Sequence, residues 1–319
     1  MFGLARKHAD QRFLFAYRAH RLKRSFEDNL PPNVRRTWLR DGGIFPHRCR
    51  LFHGLNQRLD ADFPRSVATF HDLFVITGDY STNDFRERFA AQARNAAARA
   101  DRIIAVSQFT ADQIVDLLGV DRSIVRVVHH GVRPPITAPI PDSARRNVIL
   151  HVGAIQKRKN LSRLVEAFEQ TSKAWELVLA GSFGYGSEAI LARIEASPRR
   201  ADIRLPGYVD DAALESLYAE ARVFAFPSLD EGFGMPVLDA MARGIPVLTS
   251  RGSALEEVAA GAAWFVEPKH VESIAEGLKQ LTTNYHVRAH YRHKGLERVT
   301  AFSWEKAVDE TWQVYLELM

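Results

Sequence analysis

The 319-residue sequence has a single cysteine, Cys49, so it can form no internal disulfide. With neither a Cys-x-x-Cys pair nor a His-rich ligand cluster, no metal site is expected. Long apolar runs are also missing. Although 46% of the residues are hydrophobic, no uncharged stretch approaches the roughly 18 residues that a membrane-spanning helix needs. Met1-Phe2-Gly3-Leu4-Ala5-Arg6-Lys7 carries no signal-peptide pattern, and a cytoplasmic protein is expected. No Gly-x-Gly-x-x-Gly follows the first strand of either half, which disfavours a dehydrogenase. The basic residues come without a helix-turn-helix, zinc-finger or aromatic RNA-binding signature, so nucleic acid is not expected as a partner. Nor does an obvious pair of carboxylates offer the double displacement that glycoside hydrolases use.

Charge, by contrast, is abundant and unevenly spread. Residues 1–50 hold twelve Lys or Arg against four Asp or Glu, an excess of +8, so the rest of the chain must sum to −3 within the net +5. The cluster Arg18, Arg21, Lys23 and Arg24 suits an anionic membrane surface, at the inner face of the membrane, better than nucleic acid, with an ordinary solvated surface as the alternative.

Length and apolar content suit two domains, and the pattern is α/β. Pro134, Pro135, Pro139 and Pro141 exclude helix and central strand and mark a linker, which divides residues 1–135 from 136–300. Before it, Arg12–Tyr17 reads as a strand. Two short apolar runs end in His53 and in His71, the latter followed by Asp72, and ligands gather at the carboxyl ends of parallel strands. A polar loop at Gly78–Thr82 is a candidate acceptor rim. It leads into a helix from Asn83 to Ala100, a strand Arg102–Val106, Ser107 as N-cap, and a helix that Gly119 stops.

After the linker, Val148–Val152 is a strand and Asn160 the N-cap of a helix whose Leu161, Leu164, Val165 and Phe168 share a face. Lys157, Arg158 and Lys159 stand just before that helix, where cations and helix N–H groups can meet a diphosphate. Trp175–Ala180 is a strand ending at Gly181, and Ser253–Glu256 has the spacing of a capping box. Residues 301–319 form a last helix, capped by Ser303, with Trp304, Val308, Trp312 and Tyr315 on one face.

The organising stretch runs from Phe224 to Thr249: a short apolar strand, a loop with Gly232 and Gly234, a helix with Pro236 in its first turn and Gly244 at its end, and a second strand. Glu231 and Asp239 frame it. This string resembles the retaining glycosyltransferases of family 4, whose signature is Glu, Gly-Phe-Gly, Pro and a second acid eight positions after the first. That second acid is usually Glu, and here it is Asp239. The resemblance implies a GT-B fold, two Rossmann-like domains facing across a cleft with the C-terminal helix crossing back to the first domain. It further implies that Glu231 and the amides around Gly232, Phe233 and Gly234 hold the donor sugar, and that Asp239 binds the ribose. Lys159, then Arg158, would carry the phosphates beside Gly153 and Gly181, while Tyr208 and Val209 lie near the nucleobase and His71 touches the sugar. His53, Asp72 and Ser107 are acceptor-side candidates.

The family commonly has Arg after the glycine, where Ala154 stands, and it opens with an earlier strand and Gly-rich loop that this sequence is expected to lack. The implied activity is metal-independent transfer of a hexose, with mannose the first guess, from a GDP- or UDP-linked donor to a glycan or lipid-linked acceptor. No cofactor is implied. The alternatives are a catalytically impaired subunit that binds a nucleotide or a partner, and a sugar-nucleotide epimerase.

Overall fold

The protein is described by a computed structural model covering residues 1–39, 49–59, 63–136 and 138–319. The chain divides into two units, Met1–Leu73 with Glu87–Gly131 and Ser303–Met319, and Phe74–Arg86 with Val132–Phe302. Arg40 and Arg48 of the basic amino-terminal segment, and Thr137 of the Pro-rich linker, lie outside the described residues.

The second unit is built on a six-stranded parallel sheet. Its order is Trp264–Val266, Val247–Ser250, Val223–Phe226, Val148–Val152, Glu176–Ala180, Ile203–Gly207. Central strands covered on both faces need continuous apolar runs, and Val223-Phe-Ala-Phe226 is buried at every position. The helix Leu161–Phe168 turns Leu161, Leu164, Val165 and Phe168 into the core against Ile149, Leu177 and Leu179. Truncating Leu164 to Ala there costs about 2–5 kcal/mol. From Val148–Val152 the chain builds outward through two strands, then returns to the other side at Val223–Phe226. The strand order therefore reverses between these neighbours, and the loops beyond their carboxyl ends face the crevice where open α/β sheets bind ligands.

Among the described residues of the first unit the strands form two parallel sheets. Phe13–Tyr17 pairs with Val34–Trp38, and Phe52–Gly54, Ser66–Phe70, Arg102–Ala105 and Val125–Val127 follow in that order. Ser107 caps the helix Gln108–Leu118 by accepting the Thr110 N–H at 3.0 Å, and Gly119 ends it in the left-handed region at φ 67°. The last helix, Trp304–Leu316, belongs to this unit. Ser303 caps it, and Ala307, Val314 and Tyr315 pack with Leu4, Val67, Ile104 and Val128. Trp304, expected on that same face, is instead 46% exposed. As the first helical residue it lies short of the buried cluster, and its ring turns towards His130.

Candidate active site

Two loops at the reversal point bring the expected charges together. Lys157–Lys159 forms a 3-10 turn after the strand Val148–Val152, and Pro227–Gly234 follows Val223–Phe226. Lys159 Nζ lies 2.5 Å from Glu231 Oε1, and the Arg158 guanidinium lies 2.7 Å from Oε2, so one carboxylate holds both cations. All three side chains are buried. Burial pushes the Glu231 carboxyl upward, but Lys159 and Arg158 outweigh it and hold the group at about 2. The triad thus carries one net positive charge at neutral pH.

Aromatic rings support both cations. Lys159 Nζ sits 4.4 Å from the centre of Phe226, and Arg158 lies 4.1 Å from that of Phe74. Beneath them, fully buried His151 stacks on Phe226 and bonds the Ala225 carbonyl through Nδ1 at 3.0 Å. Burial, then the Lys159 charge, lowers its pKa to about 3, so the ring is neutral.

Two glycines shape the floor. Gly153 and Gly181 end adjacent strands at φ 153° and 156°. A Cβ on Gly181 would come within 1.9 Å of the Gly153 carbonyl oxygen, so these two turns meet only as glycines. A Cβ on Gly153 would stand 3.4 Å from Lys159 Cε, which places that backbone against the lysine.

Asn160 departs from its expected role. It occupies the N-cap position but sits at φ 60° and caps nothing with its side chain. Its amide instead donates to the carbonyls of Pro227 at 3.0 Å and Pro268 at 2.6 Å, tying the cationic loop to the loop that carries Glu231 and to the loop after Trp264–Val266. Asn tolerates the left-handed region because its short polar side chain can bond locally. The capping box is also modified: Ser253 accepts the Leu255 N–H, while Glu256 takes the N–H of Gly252 instead of that of Ser253.

Gly232, Phe233 and Gly234 lead into the helix Met235–Ala242. Gly234 takes φ 106° at its N-cap, Pro236 lies in the first turn, and Phe233 is buried edge-on against Phe302. Asp239 is raised by burial, with partial offset from Arg243 and Arg133. Its carboxylate accepts the Arg133 backbone N–H and lies 3.9 Å from Arg243, while the buried Oδ1 makes no hydrogen bond among the described residues. Tyr208 and Val209 follow the strand Ile203–Gly207, with Tyr208 82% exposed.

The loop expected as an acceptor rim packs within the second unit. Thr77 donates to Asp230 at 2.6 Å, and Asp79 pairs with Lys157 at 2.8 Å, so Phe74–Arg86 straps the cationic turn. None of these contacts has a sequence motif. Each joins residues far apart in the chain, and only the polar, aromatic character of the loop hints at it.

In the first unit, His71 bonds Leu55 and His130. His53 spends Nδ1 on the Tyr315 hydroxyl at 2.6 Å and Nε2 on Thr69 at 2.7 Å. Burial lowers its pKa to about 3. Both ring nitrogens are therefore committed inside the unit. Ser107 is fully buried at its helix cap, and Asp72 follows His71 at the end of Ser66–Phe70.

Comparison with known proteins identifies the family. Residues 134–298 match the family described as Glycosyl transferases group 1, and residues 47–134 match Glycosyltransferase Family 4. The chain belongs to this glycosyltransferase family. This family 4 glycosyltransferase is 30% identical over 297 residues to the O-antigen chain mannosyltransferase B of Escherichia coli, covering 88% of this chain and 77% of that one. It is 23% identical over 263 residues to the serotype-specific mannosyltransferase WbdA of Escherichia coli, covering 75% of this chain but only 32% of that longer protein. Among solved structures, Anabaena HepE in complex with UDP and glucose superimposes with a TM-score of 0.77 at 15% identity, covering 100% of this chain and 95% of HepE. The fold of this glycosyltransferase is therefore GT-B.

Proposed function

We propose that this glycosyltransferase moves a hexose, mannose in the first instance, from a nucleotide-diphosphate sugar to a glycan or lipid-linked acceptor with retention at the anomeric carbon. The observation that carries the reading is the buried Lys159–Arg158–Glu231 triad against the Gly153 and Gly181 turns. Departure of the diphosphate is the hard step. As the C1–O bond breaks, negative charge grows on the leaving phosphate, and a fixed cation with oriented N–H groups stabilises that charge more than it stabilises the bound donor. Lys159 takes this role and Arg158 supports it, while Glu231 holds both in place and faces the sugar. The acceptor oxygen attacks on the face the leaving group vacates, and its proton passes to the departing phosphate oxygen. From the first unit the reading takes His71 as the residue touching the sugar.

Mannose is favoured because the named relatives are mannosyltransferases. A lipid-linked acceptor is supported by the basic amino-terminal segment, in which Arg21, Lys23 and Arg24 are exposed beside Phe26, itself 69% exposed. Among the described residues no helix is long and apolar enough to cross a membrane.

The test is a screen of GDP- and UDP-linked hexoses with lipid-linked and free glycan acceptors, following the released nucleoside diphosphate and the anomeric signal of the product. GDP-mannose turnover with an α-configured product is expected. Release of nucleotide with inversion, or no turnover of any nucleotide sugar, contradicts the reading.

A further inference from the structure

We propose that His130 is a positioning residue for this transfer, acting through His71. The partners of each ring nitrogen fix where its hydrogen lies. His71 Nε2 lies 2.8 Å from the Leu55 carbonyl oxygen. A carbonyl only accepts, so in the neutral ring Nε2 carries the hydrogen and Nδ1 carries the lone pair. His130 Nε2 stands 3.3 Å from that Nδ1 and must be the donor. The two rings stack, with centres 5.3 Å apart and planes 20° from parallel.

His130 is itself held from behind. Trp304, at the start of the last helix, packs on it at 5.6 Å, and the residue after it is Gly131, where a Cβ would meet the Trp304 backbone nitrogen at 2.2 Å. Only glycine lets the end of this segment lie so close to the helix start. The last helix therefore braces His130, and His130 braces His71. With Nε2 donating to Leu55 and the Nδ1 lone pair already accepting from His130, the His71 ring has no free lone pair with which to take the acceptor's proton. It contributes placement of the sugar, and the proton goes to the leaving phosphate.

This inference rests on the proposed reading in which His71 touches the donor sugar, and its test separates the two. His130→Phe keeps the packing on Trp304 and removes the donor. His130→Gln restores an N–H near the position of Nε2. Long-range proton–nitrogen spectra of the full chain report the His71 nitrogens without any turnover. The wild type should show the Nε2–H tautomer with a hydrogen-bonded Nδ1, and His130→Phe should shift the Nδ1 signal to that of an unbonded nitrogen. With melting temperatures confirming the fold, His130→Phe should lower kcat roughly 10- to 100-fold with little change in donor KM, a range taken from outer partners of metal-bound histidines. His130→Gln should recover most of that loss. The proposal is overturned by an unmoved Nδ1 signal, by wild-type kcat in His130→Phe, or by a glutamine variant as impaired as the phenylalanine one. Absence of transfer in a wild type whose spectra show the clamp would count against the functional reading instead.

Discussion

The two units carry opposite kinds of chemistry. In the second, the carboxyl ends of an unbroken six-stranded sheet hold full charges, with Lys159 and Arg158 on Glu231 and Lys157 on Asp79. In the first, whose described strands form two sheets, three imidazoles near the strand ends, His53, His71 and His130, are bonded to hydroxyls, a carbonyl and each other, with Asp72 next to His71 in the chain. Burial lowers His53 to about 3 and His130 to about 4, so both stay neutral. A buried charge persists only with a partner or a ligand of opposite sign, whereas neutral donors and acceptors suit hydroxyl groups.

The sharpest way to break the contrast is through the floor of the charged side. Gly181→Ala places a methyl group in the Gly153 carbonyl, so one of the two turns must move. We expect a loss of roughly 3–5 kcal/mol of stability and abolished nucleotide binding, read by thermal melting and calorimetric titration. The same substitution at Gly119, where nothing lies within 4 Å, should cost only the left-handed strain of about 1 kcal/mol and leave binding intact.

Glu231→Gln leaves two buried cations with a neutral amide, and about 3–5 kcal/mol of destabilisation is expected. Its pH dependence gives a second check. The folded-state carboxyl, at about 2, lies below the ordinary 4.5, so its contribution is complete above the higher value and is lost as the pH falls towards the lower one. Wild type should lose stability across that acid window, and Glu231→Gln should lose less, as followed by urea unfolding at stepped pH.

Asn160→Ala removes two bonds to buried carbonyls and strains a left-handed residue, for an expected cost of about 2–3 kcal/mol. Asn160→Gly should recover the backbone part alone. Equal melting points for the two would mean that the side-chain tie contributes everything.

What could be read from the chain alone follows from locality. The strands Val148–Val152 and Val223–Phe226 announce themselves as apolar runs, and the Glu231–Asp239 spacing is contiguous. The strand Val34–Trp38 does not, because two arginines interrupt it and, among the described residues, it pairs only with Phe13–Tyr17. Asn160 stands where an N-cap belongs, and only its backbone angle shows that the side chain works elsewhere. Thr77 and Asp230 are 153 residues apart, and His71 and His130 are 59 apart. Neither pair lies in a shared motif, so packing alone brings them together. The adjacent His129-His130-Gly131 at a strand end was the one available signal for the second pair.

The central claim is that the buried lysine stabilises charge that develops as the donor breaks. The most direct measurement is single-turnover cleavage of the nucleotide sugar by Lys159→Met, set beside the donor dissociation constant of the same variant. The account predicts that cleavage slows by about 10²–10³-fold while donor affinity falls far less. Cleavage at the wild-type rate, with the whole effect in affinity, would contradict it.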